Sequence, residues 1–298
     1  MLLTEIILPL MIIVCFDAVQ SKTKKPMLEI PAEKACPGTN NGFSYTASPE
    51  RHFRNMRRRY KGCTHIYGNL EVTHLNIENY DYDLSFLEDI RYVSGYVLIG
   101  LSPEISVLPL PSLQIIRGNQ TIRIRNAEVS LAVVLNYRFS DPKVGLTELH
   151  LPALREISNG IVMFAQNPRL CYVDTIDWLA ITGRGRRSTM FPRGDQTPPF
   201  NRKCDGCPVS CRVEGISRCW SSREKLCQRV LPDSCHRSCP YRCFGPGAEG
   251  CCHDSCAGGC WGPSERECMM CKDYRMWNRC VGSCPARYSK LNQICYRQ

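Results

Sequence analysis

Leucine, isoleucine and valine are scarce in the carboxyl-terminal part of the chain, residues 204–295. These 92 residues hold instead 17 of the chain's 21 cysteines, set among Pro, Gly, Ser and charged residues. Such a segment cannot bury enough apolar surface to offset its chain entropy, so covalent cross-links must hold it. We therefore predict a rod-like extracellular module, which disfavours most classes of enzyme.

Cysteine is scarce in the rest of the chain, where Cys15, Cys36, Cys63 and Cys171 are the only ones. This contrast, in a chain of 298 residues, indicates two domains. The net charge of +10 is a property of many nucleic-acid-binding proteins, but a disulfide-rich protein belongs to an oxidising compartment. We interpret the basic residues as a solvated surface, or as one that meets sulfated glycans or acidic surfaces.

Long apolar runs are absent except at the start of the chain, where residues 6–16 form a run of 11. This length is typical of a signal peptide and too short to span a bilayer. Cleavage near residues 18–21 would remove Cys15 and leave an even number of cysteines, although Glu5 replaces the usual positive charge before the run. We expect residues 1–21 to be a signal peptide and the mature chain to be secreted and soluble.

Residues 49–60 have the pattern of an amphipathic helix. Ser48 can cap it, Pro49 suits its first position, and Phe53, Met56 and Tyr60 share one face. The opposite face carries Arg51, Arg54 and Arg58. A Cys36–Cys63 bond would tie this helix to the edge of the structure that follows.

Residues 68–170 consist of short β-rich runs, and three of these runs are self-similar. Leu87, Leu113 and Leu154 each begin a Leu-x-x-Ile unit that leads through a glycine to a second apolar run, the middle one containing Ile122 and Ile124. Stacked units of this kind predict a β-solenoid, although an ordinary β-sandwich remains an alternative.

The end of the first domain is predicted to be a short helix over residues 174–181, with Ile176 and Leu179 buried and Trp178 close by. Residues 183–203 then form a loop rich in Gly, Pro and Arg. Its Arg184-Gly-Arg-Arg187 sequence fits the pattern cut by secretory proprotein convertases after Arg187, but a simple solvated basic loop is the alternative.

Sequence motifs of catalytic and cofactor-binding sites are absent. No HExxH, GxSxG, GxGxxG or phosphate-binding Gly-Lys-Ser/Thr sequence occurs, and His253-Asp-Ser255 places triad residue types too close in sequence for a triad. Cys204-x-x-Cys207 and Cys268-x-x-Cys271 have the spacing of zinc ligands, but disulfides are favoured behind a signal peptide. We expect no catalytic residue, metal or cofactor. Asn119-Gln-Thr121 is a glycosylation sequon at a predicted turn.

Several longer motifs are specific enough to indicate a protein family. Those of the first domain are Asp83-Leu-Ser-Phe-Leu87, Gly95-Tyr-Val-Leu-Ile99, Leu113-Gln-Ile-Ile-Arg-Gly-Asn119, Asn167-Pro-x-Leu-Cys171 and Asp174-Thr-Ile-Asp-Trp178. Those of the second are Cys219-Trp220, Cys243-Phe-Gly-Pro246, Cys251-Cys-His-Asp254 and Ala257-Gly-Gly-Cys260. The chain thus resembles the first ligand-binding (L) domain and furin-like cysteine-rich domain of the epidermal growth factor receptor family, and insulin receptors more distantly.

The resemblance implies a mainly β protein, with a right-handed β-helix or solenoid L domain (residues 22–182), a basic loop (183–203) and a disulfide-rich, core-poor furin-like rod (204–298). It implies that Trp220 is the anchor that joins the rod to the L domain. It also implies the pairs Cys36–Cys63, Cys171–Cys204, Cys207–Cys219, Cys211–Cys227, Cys235–Cys243, Cys239–Cys251, Cys252–Cys260, Cys256–Cys268, Cys271–Cys280 and Cys284–Cys295.

The family binds its ligands on one face of the L-domain sheet and on the amino-terminal loop. Carried over by position, this implies a site formed by Phe43, Tyr45, His74, Leu101, Asn126 and Val134. Core packing is the alternative role for Leu101 and Val134, whereas Phe43 and Tyr45 lie in a Gly/Asn/Ser loop where exposed aromatic residues favour a contact surface.

The family's dimerisation arm is absent or incomplete, because the loop from Cys284 to Cys295 holds only residues 285–294. We therefore expect a secreted, truncated receptor that binds a growth factor or a full-length receptor without signalling. An amino-terminal fragment of a transmembrane receptor protein-tyrosine kinase, located at the cell surface, is the alternative. A structural or adhesive matrix protein is a third possibility.

Overall fold

The structure is a computed structural model that describes residues 34–182, 189–190, 204–229, 235–239, 242–291 and 293–297. The expected signal peptide and the Arg187 site lie outside these residues. Within the described part, no helix has both the length and the apolar character needed to cross a membrane. Glu33–Gln298 form one compact unit, which contains both the amino-terminal domain (34–182) and the cysteine-rich region (204–297).

The described helices are α1 (Pro49–Tyr60) and α2 (Trp178–Thr182). The strands up to residue 190 are β1 (Ala35–Pro37), β2 (His65–Tyr67), β3 (Leu70–Thr73), β4 (Tyr92–Val93), β5 (Val97–Gly100), β6 (Val107–Pro109), β7 (Ile115–Ile116), β8 (Ile122–Ile124), β9 (Ala127–Val134), β10 (Tyr137–Arg138), β11 (Asp141–Gly145), β12 (Glu148–His150), β13 (Glu156–Ile157), β14 (Ile161–Ala165) and β15 (Thr189–Met190). Those of the cysteine-rich region are β16 (Arg212–Val213), β17 (Ile216–Ser217), β18 (Cys256–Cys260), β19 (Cys268–Cys271), β20 (Tyr274–Met276), β21 (Arg279–Val281), β22 (Tyr288–Leu291) and β23 (Ile294–Arg297).

Parallel pairing makes the amino-terminal domain a solenoid. One sheet has the order β1-β2-β4-β7-β13 and a second the order β15-β14-β9-β5-β3, and neighbouring strands along both paths are parallel. Each turn adds one strand to each sheet, as β4 and β5 do, and then β7 and β9. In the described part of this domain, antiparallel pairing, which a β-sandwich requires, is limited to the β8–β9 and β10–β11 hairpins and one bridge between Thr39 and Asn69. The predicted solenoid is confirmed.

The Leu-x-x-Ile units face the interior of this solenoid. All six of their leading and closing residues are buried in the main core: Leu87, Ile90, Leu113, Ile116, Leu154 and Ile157. The middle unit differs from the prediction, because Ile122 and Ile124 belong to β8, an antiparallel hairpin strand on β9. The solenoid strand of that turn is β9 itself. The hairpins β8–β9 and β10–β11 both lie between Leu113 and Leu154, which lengthens this interval to 154 − 113 = 41 residues, compared with 113 − 87 = 26 residues for the preceding one.

A second repeat marks the end of each strand of the larger sheet. The residue after β3, β5, β9 and β14 has a left-handed backbone: His74, Leu101, Leu135 and Gln166, with φ of 58°, 53°, 60° and 54°. The residue that follows is Leu75, which is buried in the main core, or a polar residue of a hydrogen-bonded ladder: the Leu75 N–H donates to Ser102 Oγ, the Ser102 N–H to Asn136 Oδ1, and Asn136 Nδ2 to Asn167 Oδ1. This polar ladder closes each turn and stacks it on the next.

Helix α1 begins at Pro49, as predicted, and has the predicted orientation. Ser48 caps it by accepting a hydrogen bond from the Arg51 N–H at 3.4 Å, and Phe53, Met56 and Tyr60 are buried in the core. Its amphipathic pattern therefore packs it against the solenoid.

Helix α2 is shorter than predicted. Asp177 Oδ1 accepts the Ala180 N–H at 3.0 Å, so Asp177 caps the helix and Trp178 is its first residue. With this start, Trp178 and Ile181 share the buried face, whereas Leu179 is 58% exposed. The prediction that Leu179 is buried was therefore wrong, and Ile176 is buried in the turn before the helix.

Ten disulfides connect cysteines within the described residues. They join Cys36–Cys63, Cys171–Cys204, Cys207–Cys219, Cys211–Cys227, Cys235–Cys243, Cys239–Cys251, Cys252–Cys260, Cys256–Cys268, Cys271–Cys280 and Cys284–Cys295, the same pairs that the resemblance implies. Each cysteine of the two CxxC sequences is bonded in this way, which leaves no thiolate there to bind zinc.

Two modules of the cysteine-rich region repeat the same turn. In His236-x-Ser238 and His253-x-Ser255, the serine N–H donates to histidine Nδ1 at 3.2 Å and the two side chains are also within hydrogen-bond distance. Both turns precede a cysteine whose N–H donates to the histidine carbonyl. Because this geometry recurs, His253-Asp-Ser255 is explained as a structural turn.

Candidate functional site

The larger solenoid sheet is apolar on its outer face as well as its inner face. Its register aligns two outer rows across the strands: Glu71, Leu98, Ala132 and Met163, then Thr73, Gly100, Val134 and Ala165. Leu98, Ala132, Val134 and Met163 belong to an apolar cluster separate from the main core. A solvated outer face would carry polar residues at these positions. These four residues are 0 to 4% exposed, so the outer face forms a second, smaller core, and accessible contact surface there comes from exposed residues packed over it, such as Phe43.

The amino-terminal loop is held against this face by Glu71. Its buried carboxylate accepts hydrogen bonds from the N–H groups of Asn41 at 2.9 Å and Gly42 at 2.7 Å, and from the Tyr96 hydroxyl at 2.6 Å. Burial, followed by this bond to Glu71, raises the pKa of Tyr96 well above its usual value, so Tyr96 is a neutral donor. These three bonds fix the loop that presents the next residue, Phe43.

Phe43 lies over Gly100 in the second outer row. A Cβ at Gly100 would come within 3.0 Å of Phe43 Cε1 and 3.4 Å of Val134 Cγ2, so the absence of a side chain makes room for the ring. Phe43 is 37% exposed, whereas Val134 is buried beneath the loop. Phe43 thus contributes accessible aromatic surface, and Val134 supports it by packing.

Tyr45 lies between two histidines at the end of the same sheet. Its ring centroid is 4.8 Å from that of His52 and 4.3 Å from that of His74. His52 Nε2 is bonded to the Thr73 carbonyl, whereas the buried Nδ1 of His74 has no hydrogen-bond partner among the described residues. Burial, and then the neighbouring His52, lower the pKa of His74.

The structure brings five of the six predicted site residues to one end of the sheet. Leu101, partly exposed, follows β5 as His74 follows β3, and its N–H donates to the Val134 carbonyl at 3.3 Å. Asn126 lies apart from this group, exposed in the turn between β8 and β9. It precedes β9, whereas Val134 ends it, so about 25 Å of strand separates them.

Sequence reasoning missed Glu71, Tyr96 and Gly100, which position the loop. Glu71 alternates with Leu70 and Val72, a pattern typical of a solvated strand position. The available signal was the neighbouring glycine-rich loop, whose free N–H groups need acceptors.

The cysteine-rich region is joined to the amino-terminal domain through Trp220. This side chain is 1% exposed within the main core, and its ring meets Trp178 edge to face with centroids 5.6 Å apart. Polar bonds surround the joint: Asp177 and Gln228 exchange two hydrogen bonds at 2.8 and 3.2 Å, and Arg218 pairs with the Asp177 carboxylate at 2.9 Å. The joint is therefore an extension of the solenoid core.

A second contact lies farther along the cysteine-rich region. Glu156 Oε2 accepts the Gly258 N–H at 2.6 Å, and Arg117 donates to the Lys272 carbonyl. The β22–β23 hairpin also contacts the domain, because the Tyr92 hydroxyl donates to the side chain of Gln293. The loop closed by Cys284–Cys295 thus folds back toward the first sheet of the solenoid.

Comparison with known proteins identifies both domains. The Receptor L domain family matches residues 62–182, and the Furin-like cysteine rich region family matches residues 195–298. The epidermal growth factor receptor of Drosophila melanogaster shares 38% identity with the chain over 81% of its residues, and that of Gallus gallus shares 36% identity over 86%. Human receptor tyrosine-protein kinase erbB-4 shares 38% identity over 86% of the chain. The chain is a relative of the epidermal growth factor receptors.

The chain spans only 16%, 34% and 18% of the lengths of these three relatives. The matched part of this receptor family is its extracellular, ligand-binding region and contains no catalytic domain. An extracellular or cell-surface location follows from this homology. Asn119, the predicted glycosylation site, is exposed in the turn after β7, and its modification remains a prediction.

Proposed function

We propose that the chain binds a polypeptide growth factor, or a full-length receptor of its own family, and that Phe43 and Tyr45 form the centre of the contact. The observation that supports this most directly is the placement of Phe43, a part-exposed aromatic ring held over Gly100 by the Glu71-bonded loop. Preorganised aromatic residues are typical of binding hot spots, because little conformational entropy is lost on contact. His74 and Leu101 extend the surface along the sheet end.

Surface plasmon resonance with the purified chain tests the proposal. Polypeptides of the epidermal growth factor class and receptor ectodomains of the family are the analytes. Phe43→Ala and Tyr45→Ala should each weaken binding by about tenfold or more, since hot-spot truncations cost about 2 kcal/mol. Phe139→Ala is the matched control, because Phe139 is an aromatic residue with 71% exposure outside the candidate face. Absence of binding to both kinds of analyte would overturn the proposal.

The chain is further proposed to act as a secreted receptor that binds a growth factor or a receptor partner without signalling. The apolar run at residues 6–16, which has the length of a signal peptide, supports export of the chain. The alternative is that these residues are the amino-terminal part of a transmembrane receptor protein-tyrosine kinase, the kind of protein named among the relatives. A full-length transcript decides between them: coding sequence continuing past Gln298 into a membrane helix would overturn the secreted form.

A further inference from the structure

The solvent face of α1 carries an unusual density of positive charge. Five arginines lie within nine residues, all exposed, and we call them the arginine ridge: Arg51, Arg54, Arg57, Arg58 and Arg59. Lys61 follows the helix, and Lys34 lies beside it, donating from Nζ to the Lys61 carbonyl at 3.1 Å. Seven cations therefore gather along a helix of 12 residues, which is about 18 Å long.

The helix that carries the arginine ridge is fixed by its packing on the core and by a disulfide. Phe53, Met56 and Tyr60 fix the inner face of α1 in the core, and the Cys36–Cys63 disulfide closes immediately after the helix. A ligand that meets the ridge therefore finds its helix already ordered, and only the arginine side chains lose freedom on binding.

Few acidic groups offset this charge. Among the described residues, Asp83 pairs with Arg57 at 3.2 Å, and Glu50 lies in the first turn beside Arg54. No carboxylate in the described part of the chain forms an ion pair with Arg51, Arg58 or Arg59.

Helix stability accounts for only some of the arginines in the ridge. Cations in the last turn interact favourably with the helix dipole, which accounts for Arg57, Arg58 and Arg59. The same dipole disfavours Arg51 in the first turn, and the pairs Arg51–Arg54 and Arg54–Arg58, three and four residues apart, are repulsive. These repulsions cost helix stability, and a bound polyanion would reduce that cost.

We propose that the arginine ridge binds a sulfated polysaccharide chain of the cell surface or extracellular matrix. Guanidinium groups bind sulfate oxygens through paired N–H donors, and a row of them matches the repeating charge of such a chain. A membrane surface is disfavoured, because the outward residues Arg51, Arg54, Asn55 and Arg58 include no apolar side chain that could insert. Disulfides place the chain in a compartment without nucleic acid. This site borders the growth-factor face, since Tyr45 packs on His52 of the same helix, but its charges do not belong to that face.

Binding of the secreted chain to immobilised heparin, measured by surface plasmon resonance over a range of salt concentrations, tests the proposal. The triple variant Arg51→Gln, Arg54→Gln and Arg58→Gln keeps the helix propensity of the parent. It should bind heparin about 10- to 100-fold more weakly at physiological salt, and the slope of log K against log salt should fall by about 2 to 3, as for other polyanions. Circular dichroism and thermal unfolding establish that the variant is folded.

The matched control carries Arg223→Gln, Arg237→Gln and Arg266→Gln, which remove the same charge from exposed positions of the cysteine-rich region. It should retain most of the affinity, and desulfated heparin should not bind the parent. Equal losses in the two triple variants, or no binding of the parent at physiological salt, would overturn the proposal. So would binding to phosphatidylserine vesicles in preference to heparin, which would assign the ridge to a lipid surface.

Discussion

Glu156 and Gly258 are joined across the boundary between the two domains, with the Gly258 N–H 2.6 Å from Glu156 Oε2. The carboxylate is buried and also accepts a bond from the Ser158 hydroxyl at 2.6 Å. The backbone of Gly258 is left-handed, with φ of +72°, and a Cβ would come within 2.2 Å of Ile115 Cδ1. The close approach of β18 to the solenoid therefore depends on a glycine at this position.

Gly258→Ala should destabilise this contact by about 1 to 3 kcal/mol, because it combines an unfavourable φ with overpacking against a buried isoleucine. Hydrogen exchange should become faster in residues 256–260 and 115–117. Gly206→Ala is the control, since a Cβ there meets no atom within 4 Å. Equal protection in the two variants would show that the contact does not need the glycine.

The sequence was sufficient to predict elements whose signals are local. The bounds of α1 follow from Ser48, Pro49 and a single apolar stripe, and the solenoid follows from the Leu-x-x-Ile units. Leu179 was misplaced because its burial depends on where α2 begins, which Asp177 decides through one hydrogen bond. The contact of Gly258 with Glu156 joins residues 102 positions apart. No local pattern in the sequence encodes such a pairing.

Trp220→Ala should destabilise the joint between the domains by about 3 to 5 kcal/mol, because it removes a fully buried ring and leaves a cavity beside Trp178. Trp220→Phe should cost less, since the indole Nε1 has no hydrogen-bond partner among the described residues. Trp277→Ala is the control, because Trp277 is 70% exposed. Thermal unfolding of the three variants measures the differences. A loss for Trp220→Ala no larger than that for Trp277→Ala would contradict an anchoring role.

Glu71→Ala should free the amino-terminal loop, since Asn41, Gly42 and the Tyr96 hydroxyl would all lose their acceptor. Hydrogen exchange of residues 41–45 should accelerate, and a growth factor should bind more weakly although Glu71 is buried beneath the loop. Tyr96→Phe removes only one of the three hydrogen bonds and should have a smaller effect. We expect it to lower the free energy of unfolding by about 1 to 3 kcal/mol. Unchanged protection in Glu71→Ala would mean that packing of Phe43 alone holds the loop.

The candidate face itself was only partly predictable. Phe43 and Tyr45 were implied by the family resemblance, and their place in a polar loop, where aromatic residues are conspicuous, favoured a contact surface. The register that places Gly100 and Val134 in one row, and so gives Phe43 its support, comes from pairing between strands of different turns. For the same reason, Asn126 was grouped with residues that the hairpin β8–β9 keeps at the other end of the strand.

His74 should make the stability of this domain sensitive to pH. Burial, and then the nearby His52, lower the pKa of His74 below 6.5, so the folded chain resists a proton that the unfolded chain accepts. The unfolded state therefore binds more protons as pH falls below about 6.5, and the free energy of unfolding decreases through that range, until the pH falls below the pKa of folded His74.

His74→Asn should reduce this decrease, and asparagine tolerates the left-handed backbone at this position. Denaturant unfolding between about pH 5.5 and 7.5 measures the effect. Gly206→Ala is the control and should keep the pH dependence of the parent, because it changes no titratable group and its added Cβ meets no atom within 4 Å. If the free energy of unfolding decreases equally with falling pH in the parent and both variants, His74 does not cause the decrease. The pH dependence would then belong to other groups.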